Sequence, residues 1–419
     1  MSADEIGARS VRAVRNQVRH VKEVSPHYQN SLFDVFPEDI KTVEDIRKLP
    51  FTEKHELVED TELFLGVVPE QIVETVVTSG STGKALVFSM TAADIDRLAF
   101  NEALSFHAAG VTTQDRAQIL VSLDRLFIAG MAYYRGLTLL GVNTVRIGVL
   151  PFDMQKHYIE LLKPTVLVGV PSFLLKLARE LDKLGFDPRG STIRKIFCIG
   201  ESLRNQDMEL NSVGKALEDH YNAKAYSTYA STELSTSYCE CTTQYGGHAH
   251  PELVYTEIVD ESGNPVPDGS VGELVATPLG VEGVPLVRYR TGDITFTLPG
   301  GCACGRNSLR IGPILGRKSQ MIKFKGTTVY PLVITTVMDS VDGIEDYVII
   351  LEDDESLCDR VTIHAVTMPS NLDKIGSRLR TEARVQLPVL VSNAATIKHY
   401  RGASAKKTRI VDQRKRKLR

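Results

Sequence analysis

No run in this 419-residue chain approaches the roughly 20 consecutive apolar residues that a membrane helix needs, and the first residues lack the apolar core of a signal peptide. A cytoplasmic protein is therefore expected, where thiols stay reduced and structural disulfides are rare. The chain also lacks an excess of one charge. Its 49 Lys and Arg against 52 Asp and Glu give a net charge of −3, so charge balance points to neither a nucleic-acid nor a membrane partner. The basic end, Lys398 to Arg419, departs from that balance and reads on composition as a solvated tail. Low-complexity tracts and internal repeats are missing too. What remains is an ordinary globular composition, 42% hydrophobic and 24% charged, long enough for two or three domains.

Val11, Val14, Val18 and Val21 recur at helical spacing among Arg, Lys and His, which predicts an amphipathic helix at the start. From about residue 115, short apolar runs alternate with helical stretches. Strands are predicted at Ala117–Val121, Thr165–Val170 and Lys195–Ile199, with a helix at Ser172–Leu184 between the last two. That rhythm implies crossover units on a largely parallel sheet. Beyond Gly316 come two alternating strands (Tyr347–Leu351, Val361–Val366), a helix (Leu372–Gln386) and a further strand around Thr396–His399. The fold class expected is α/β: a large domain over 1–316 with mixed and parallel sheets and flanking helices, then a small mobile α+β domain over 317–419.

Val76 to Leu86 reads V-V-T-S-G-S-T-G-K-A-L. A Gly/Ser/Thr-rich loop after an apolar strand offers backbone N–H groups, hydroxyls and a cation to phosphate oxygens. It is not a P-loop, because Gly80 and Gly83 stand too close together and Ala85 replaces the hydroxyl that would meet magnesium. No G-x-S-x-G surrounds Ser79 or Ser81, so a hydrolase nucleophile is not indicated. A Gly/Ser hairpin turn would carry the same residues. Cysteine is sparse, at six, yet four fall in two tight pairs, Cys239/Cys241 and Cys302/Cys304. With His248 and His250 they make six zinc-type ligands in two clusters, where tetrahedral zinc needs four. Cys198 and Cys358 read as inert.

The loop T-S-G-S-T-G-K, residues Thr78, Ser79, Gly80, Ser81, Thr82, Gly83 and Lys84, resembles the phosphate loop of adenylate-forming enzymes. That family includes acyl-CoA synthetases, adenylation domains and luciferases. Further resemblances follow in order. Ile199–Leu203, with Gly200, Glu201 and Ser202, is similar to the segment whose backbone flanks adenine. Tyr229-Ala230-Ser231-Thr232-Glu233 resembles a motif whose aromatic stacks on adenine, whose hydroxyl meets the α-phosphate and whose glutamate holds magnesium. Thr291-Gly292-Asp293 resembles the motif whose carboxylate grips the ribose hydroxyls. Gly316-Arg317 resembles the opening of the hinge, expected near Lys318–Ser319, and Lys406 resembles the lysine that the small domain carries in for adenylation.

Residues 49–54 (L-P-F-T-E-K), 285–294, 302–306 and 310–317 resemble phenylacetate–coenzyme A ligases in particular, and Ile311 in the last of these is counted with the nucleotide site. A metal-bearing branch of that group has C-x6-H followed by C-x-C, which implies Cys241, His248, Cys302 and Cys304 as structural zinc ligands, with Cys239 and His250 as spares or His250 displacing His248.

The resemblance implies an acid–thiol ligase. ATP and Mg2+ would activate a carboxylic acid, aromatic or arylalkyl, as its adenylate, and coenzyme A would take the acyl group. Thr232, Glu233 and Lys406 would carry the chemistry, and Phe127–Tyr134 with Val168–Phe173 would line the acid pocket. A homodimer is compatible with all of this. A second reading keeps the adenylate and passes the acyl group to an amine or carrier protein, or AMP to a deazaflavin-like cofactor. A third, a nucleotide-binding sensor without catalysis, is disfavoured by the retained Glu233, Asp293 and Lys406. The individual residues also have plainer readings. Lys406 would serve as surface decoration beside Lys407, Asp293 as a turn cap, Glu233 as a solvated helix-start carboxylate, Tyr229 as core and Arg317 as a surface pair.

Overall fold

In the computed structural model the chain divides into two compact units, and residues 1–78, 86–324, 327–353, 359–382, 385–401 and 409–414 are described. The first comprises Met1–Glu209, Gly214–Thr291 and Thr295–Pro313; the second comprises Leu210–Val213, Gly292–Ile294 and Ile314–Arg419.

The first unit opens with the helix Ala3–Val24, capped by Ser2 and Glu5 in a reciprocal capping box. Its Val14, Val18 and Val21 are fully buried, as their spacing predicts. A hairpin follows, β1 (Glu74–Val77) with β2 (Val87–Met90). Next come β3 (Arg116–Ile119), β4 (Asn143–Arg146), β5 (Val166–Gly169), β6 (Lys195–Ile199) and β7 (Lys224–Ser231), each joined to the next through a helix. The short strands β8 (Thr236–Glu240) and β9 (Gly247–His248) follow. Then come β10 (Val254–Val259), β11 (Val271–Pro278), β12 (Tyr289–Phe296) and β13 (Arg310–Ile311).

Eight of these form one sheet in the order β13-β9-β8-β7-β6-β5-β3-β4. From β4 to β7 every pairing is parallel; from β7 outward it is antiparallel. The central parallel strands β5 and β6 are buried on both faces, which is why they read as unbroken apolar runs, whereas the edge strand β4 has no buried residue. The predicted helix at 172–184 lies at Pro171–Lys183, with Leu174, Leu177, Ala178 and Leu181 inaccessible.

The second unit takes in Gly292–Ile294, the middle of β12, where Asp293 and Ile294 pair with Arg317 and Gly316 of β14 (Gly316–Arg317). A side chain at Gly316 would come within 2.6 Å of the Tyr330 Cβ, so that position needs glycine. After β15 (Ile322–Phe324) and β16 (Thr327–Val329), a four-stranded sheet is built. Its strands are β17 (Ile344–Asp353), β18 (Asp359–Thr367), β19 (Val389–Val391) and β20 (Ile410–Asp412), in the order β19-β18-β17-β20. The helices Pro331–Ser340 and Leu372–Glu382 pack their Ile334, Val337, Ile375 and Leu379 against it.

One expectation is corrected here. Thr396–His399 is not a strand but part of the helix Ala394–Arg401. Asn393 accepts from the Thr396 backbone N–H at 2.9 Å, capping a start of two alanines, and Ile397 alone turns inward. Among the described residues no helix is long and apolar enough to cross a membrane.

Candidate active site and metal centre

Among the candidate site residues of the first unit, Gly200–Ser202 follow β6 and Tyr229–Glu233 close β7, whereas Thr78 lies on the separate β1–β2 hairpin and Ile311 on β13. Thr78 follows β1 and closes the base of the β1–β2 hairpin: its N–H donates to the Leu86 carbonyl at 2.9 Å, and its Oγ1 accepts from the Leu86 N–H at 3.1 Å. Ser79, Gly80, Ser81, Thr82, Gly83 and Lys84 lie outside the described residues, as do Lys406 and Cys358. Gly200, just past β6, has φ +83°, a conformation that glycine takes without strain. Glu201 accepts from the Ser172 N–H at 2.8 Å and from its hydroxyl at 2.7 Å, and the Ser202 hydroxyl donates to the Arg204 carbonyl at 3.0 Å.

The turn from β7 to β8 concentrates the charge. Tyr229 and Ala230 sit opposite Tyr238 and Ser237 in the ladder, and the two tyrosine rings lie 5.8 Å apart. The turn itself is tight: the Ser235 N–H donates to the Thr232 carbonyl at 3.1 Å, and Ser235 takes φ +46°. Glu233 therefore projects from a turn and does not start a helix. Its Oε2 accepts from the Ser231 hydroxyl at 2.6 Å, and its Oε1 meets the Lys54 ammonium at 3.1 Å. Burial opposes charge on Glu233, yet Lys54 and the Ser231 hydroxyl hold its pKa below the ordinary carboxylate value. Lys54 ends the L-P-F-T-E-K segment, and sequence reasoning gave it no role because its partner lies 179 residues away.

Ile311 is packed in the core of the first unit with 1% exposure. Val168 and Tyr133 are likewise core residues, beside Phe106 and Phe197, whereas Phe127 is exposed. In the second unit, Asp293 faces Arg317 across the ladder, and the guanidinium Nε lies 3.3 Å from its carboxylate.

Four metal-type ligands come together. The ligand atoms of Cys241, His248, Cys302 and Cys304 all lie within 4.8 Å of one another, and all but Cys304 are buried. The Cys241 and Cys302 sulfurs are 3.7 Å apart, and Cys304 Sγ is 3.6 Å from His248 Nε2. Bond lengths of about 2.3 Å to sulfur and 2.0–2.1 Å to nitrogen give tetrahedral edges of about 3.8 and 3.6 Å, so the donors suit a zinc-sized ion. The Ser308 hydroxyl engages His248 Nδ1 at 3.0 Å, leaving Nε2 toward the thiols. Burial, then Arg306 and Arg310, lower the His248 pKa to about 4, so the ring is neutral and able to ligate. Burial raises Cys302, but the Thr243 hydroxyl and neighbouring groups outweigh it and bring the thiol down to about 7. The spares are otherwise engaged: Cys239 with the Thr228 hydroxyl at 3.3 Å, and His250 with the Ser105 hydroxyl at 3.2 Å. Thr243, 3.1 Å from Cys241 Sγ and 3.2 Å from Cys302 Sγ, went unnoticed in the sequence.

The profile of the AMP-binding enzyme family matches residues 17–281. The chain belongs to that family. Its curated relatives include the phenylacetate–coenzyme A ligase of Aromatoleum evansii, 32% identical over 79% of this chain and 74% of that protein. The Escherichia coli K12 phenylacetate–coenzyme A ligase is also 32% identical, over 79% of this chain and 75% of its own. Among solved structures, the fold is shared with a 2-hydroxyisobutyryl-CoA ligase in complex with R3-HIB-AMP, at TM-score 0.84 and 20% identity, covering 98% of this chain and 90% of that one.

Proposed function

We propose that this chain activates a carboxylic acid with ATP as the acyl adenylate and then transfers the acyl group to coenzyme A. The observation that carries the reading is the charged Glu233 on its turn, in a chain about one-third identical to phenylacetate–coenzyme A ligases over most of its length. Attack of a carboxylate on ATP brings two anions together, so the site must offset phosphate charge and align the acid oxygen with the α-phosphorus. Glu233 would hold magnesium, which would supply positive charge beside the phosphates, Thr232 would donate to the α-phosphate, and the Ser79–Gly83 loop with Lys84 would receive the departing pyrophosphate. Tyr229 and the Gly200–Ser202 backbone take the adenine, and Asp293 the ribose. Lys406 adds positive charge as the pentacoordinate phosphorus forms, so Lys406→Ala slows adenylate formation by at least about a hundredfold, and an unchanged rate removes it from the mechanism. The acid is aromatic or arylalkyl. Cys241, His248, Cys302 and Cys304 hold structural zinc, with no open coordination position for catalysis.

Pyrophosphate exchange across a panel of carboxylic acids tests the first step. Exchange should depend on the acid, and thioester and AMP should accumulate only with coenzyme A present. If no carboxylate drives exchange, the adenylating reading fails; if exchange runs without thioester, the acceptor is an amine, a carrier or a cofactor.

A further inference from the structure

We infer that Arg204 and Glu240 are positioning residues of the nucleotide site, tying the Gly200–Arg204 loop to the strand end that carries the metal ligand Cys241. The inference rests on the adenylating reading, since it concerns the loop whose backbone is assigned there to adenine.

That loop has no strand or helix to hold it from Gly200 to Leu203. Its two charged side chains do so instead, each reaching back into the protein. At one end the Glu201 carboxylate takes both the N–H and the hydroxyl of Ser172, on the first turn of the helix Pro171–Lys183. At the other end Arg204 makes a two-pronged pair with Glu240: its Nε engages Oε1 and its Nη2 donates to Oε2 at 3.2 Å. The remaining prong, Nη1, donates to the Met208 carbonyl at 3.0 Å. Glu240 Oε2 also accepts the Ser227 N–H of β7 at 2.9 Å. The pair is nearly sealed from water, with 8% of the Arg204 side chain and 1% of that of Glu240 exposed. A buried two-pronged pair fixes direction as well as distance, and it leaves neither charge free to meet a ligand.

Glu240 is the last residue of β8, and Cys241 follows it. Cys241 is one of the four gathered donors, so an ion bound there pins the chain one residue beyond Glu240. The route from metal to nucleotide loop is then short: Cys241 to Glu240 through one peptide bond, and Glu240 to Arg204 through the ion pair. A metal with no open position thereby acquires a bearing on ATP affinity.

The test uses the full chain and a non-hydrolysable ATP analogue, with affinity read by calorimetry on metal-loaded and metal-stripped protein well below its unfolding temperature. The double variant Arg204→Met/Glu240→Met removes both charges together, which avoids leaving one buried alone. Its affinity for the analogue should fall at least about tenfold, with adenylation at saturating ATP within about threefold of wild type, as expected of a residue that acts through binding. Amide exchange over 200–204 should quicken. Arg204→Lys, which keeps the charge and loses the fork, should lie between the two and covers the case of a misfolded double variant. Stripping the metal should weaken wild type by a similar factor and the double variant hardly at all. Unchanged affinity in the double variant overturns the proposal, and so does an equal effect of stripping on both proteins. If wild-type protein fails to bind the analogue, the adenylating reading itself has failed, and the inference falls with it.

Discussion

Glu233→Gln should lower the rate of acid-dependent pyrophosphate exchange by at least about a hundredfold, since on the proposed reading it deletes the carboxylate charge offered to magnesium where phosphate charge builds. The carboxylate is already ionised before any ligand arrives, with Lys54 as its counter-ion and the Ser231 hydroxyl as a second partner. On the proposed reading magnesium would take the place of the Lys54 ammonium, and no proton would need to leave. Glutamine keeps the shape and the Ser231 contact but presents no anion. Glu233→Asp keeps the anion one methylene short and should recover part of the rate. Magnesium titration separates the cases: a lost ligand raises the magnesium requirement, whereas a folding defect lowers the rate at every concentration.

The same pair fixes a pH dependence. Glu233 has a lower pKa folded than unfolded, so its contribution to stability is present above the unfolded value and is lost as pH falls through the folded one. In Lys54→Met the leading remaining influence is burial, which raises the pKa. The acid limb of the rate profile should move to higher pH in that variant. A profile whose acid limb stays in place would show that Glu233 does not set it.

The second large effect concerns the metal. Purified protein should contain about one equivalent of zinc, because the four donors satisfy one tetrahedral ion. Cys302→Ser or Cys241→Ala should lose the metal and lower the thermal midpoint by roughly 10 °C, a modest share of the energy structural zinc contributes elsewhere, spread over a chain of this size. Cys239→Ala and His250→Ala are the controls. Both residues have other partners, Thr228 and Ser105, and both variants should keep the metal. A fully folded, metal-free preparation with wild-type stability would refute the centre.

The central parallel strands were legible because burial on both faces makes them continuous apolar runs, and Lys195–Ile199 falls where it was predicted; the exposed edge strand β4 carries no such signal. Clustering offered six thiols and imidazoles, and the C-x6-H and C-x-C resemblance singled out Cys241, His248, Cys302 and Cys304, the four that the fold gathers. The helix Ala394–Arg401 was misread, since a short segment with one buried residue carries almost no periodicity and its signal is a cap. Lys54, Arg204 and Thr243 were invisible for a different reason. Each acts through a pairing set by the fold, and Lys, Arg and Thr at a surface-like position carry no mark of the partner that awaits them. Motif resemblance named the groups proposed to touch substrate; only the fold revealed the partners of Glu233 and the Gly200–Arg204 loop.

At its outer margin the large sheet ends in β9 and β13, which have two residues apiece. Residues 296–298 hold β13 on its far side, the Leu298 N–H donating to the Arg310 carbonyl at 2.9 Å and the Gly312 N–H to the Phe296 carbonyl at 2.8 Å, and an ion bound by Cys241, His248, Cys302 and Cys304 would rivet the same border. On the proposed reading, chains made without zinc would close that border more slowly than chains made with it.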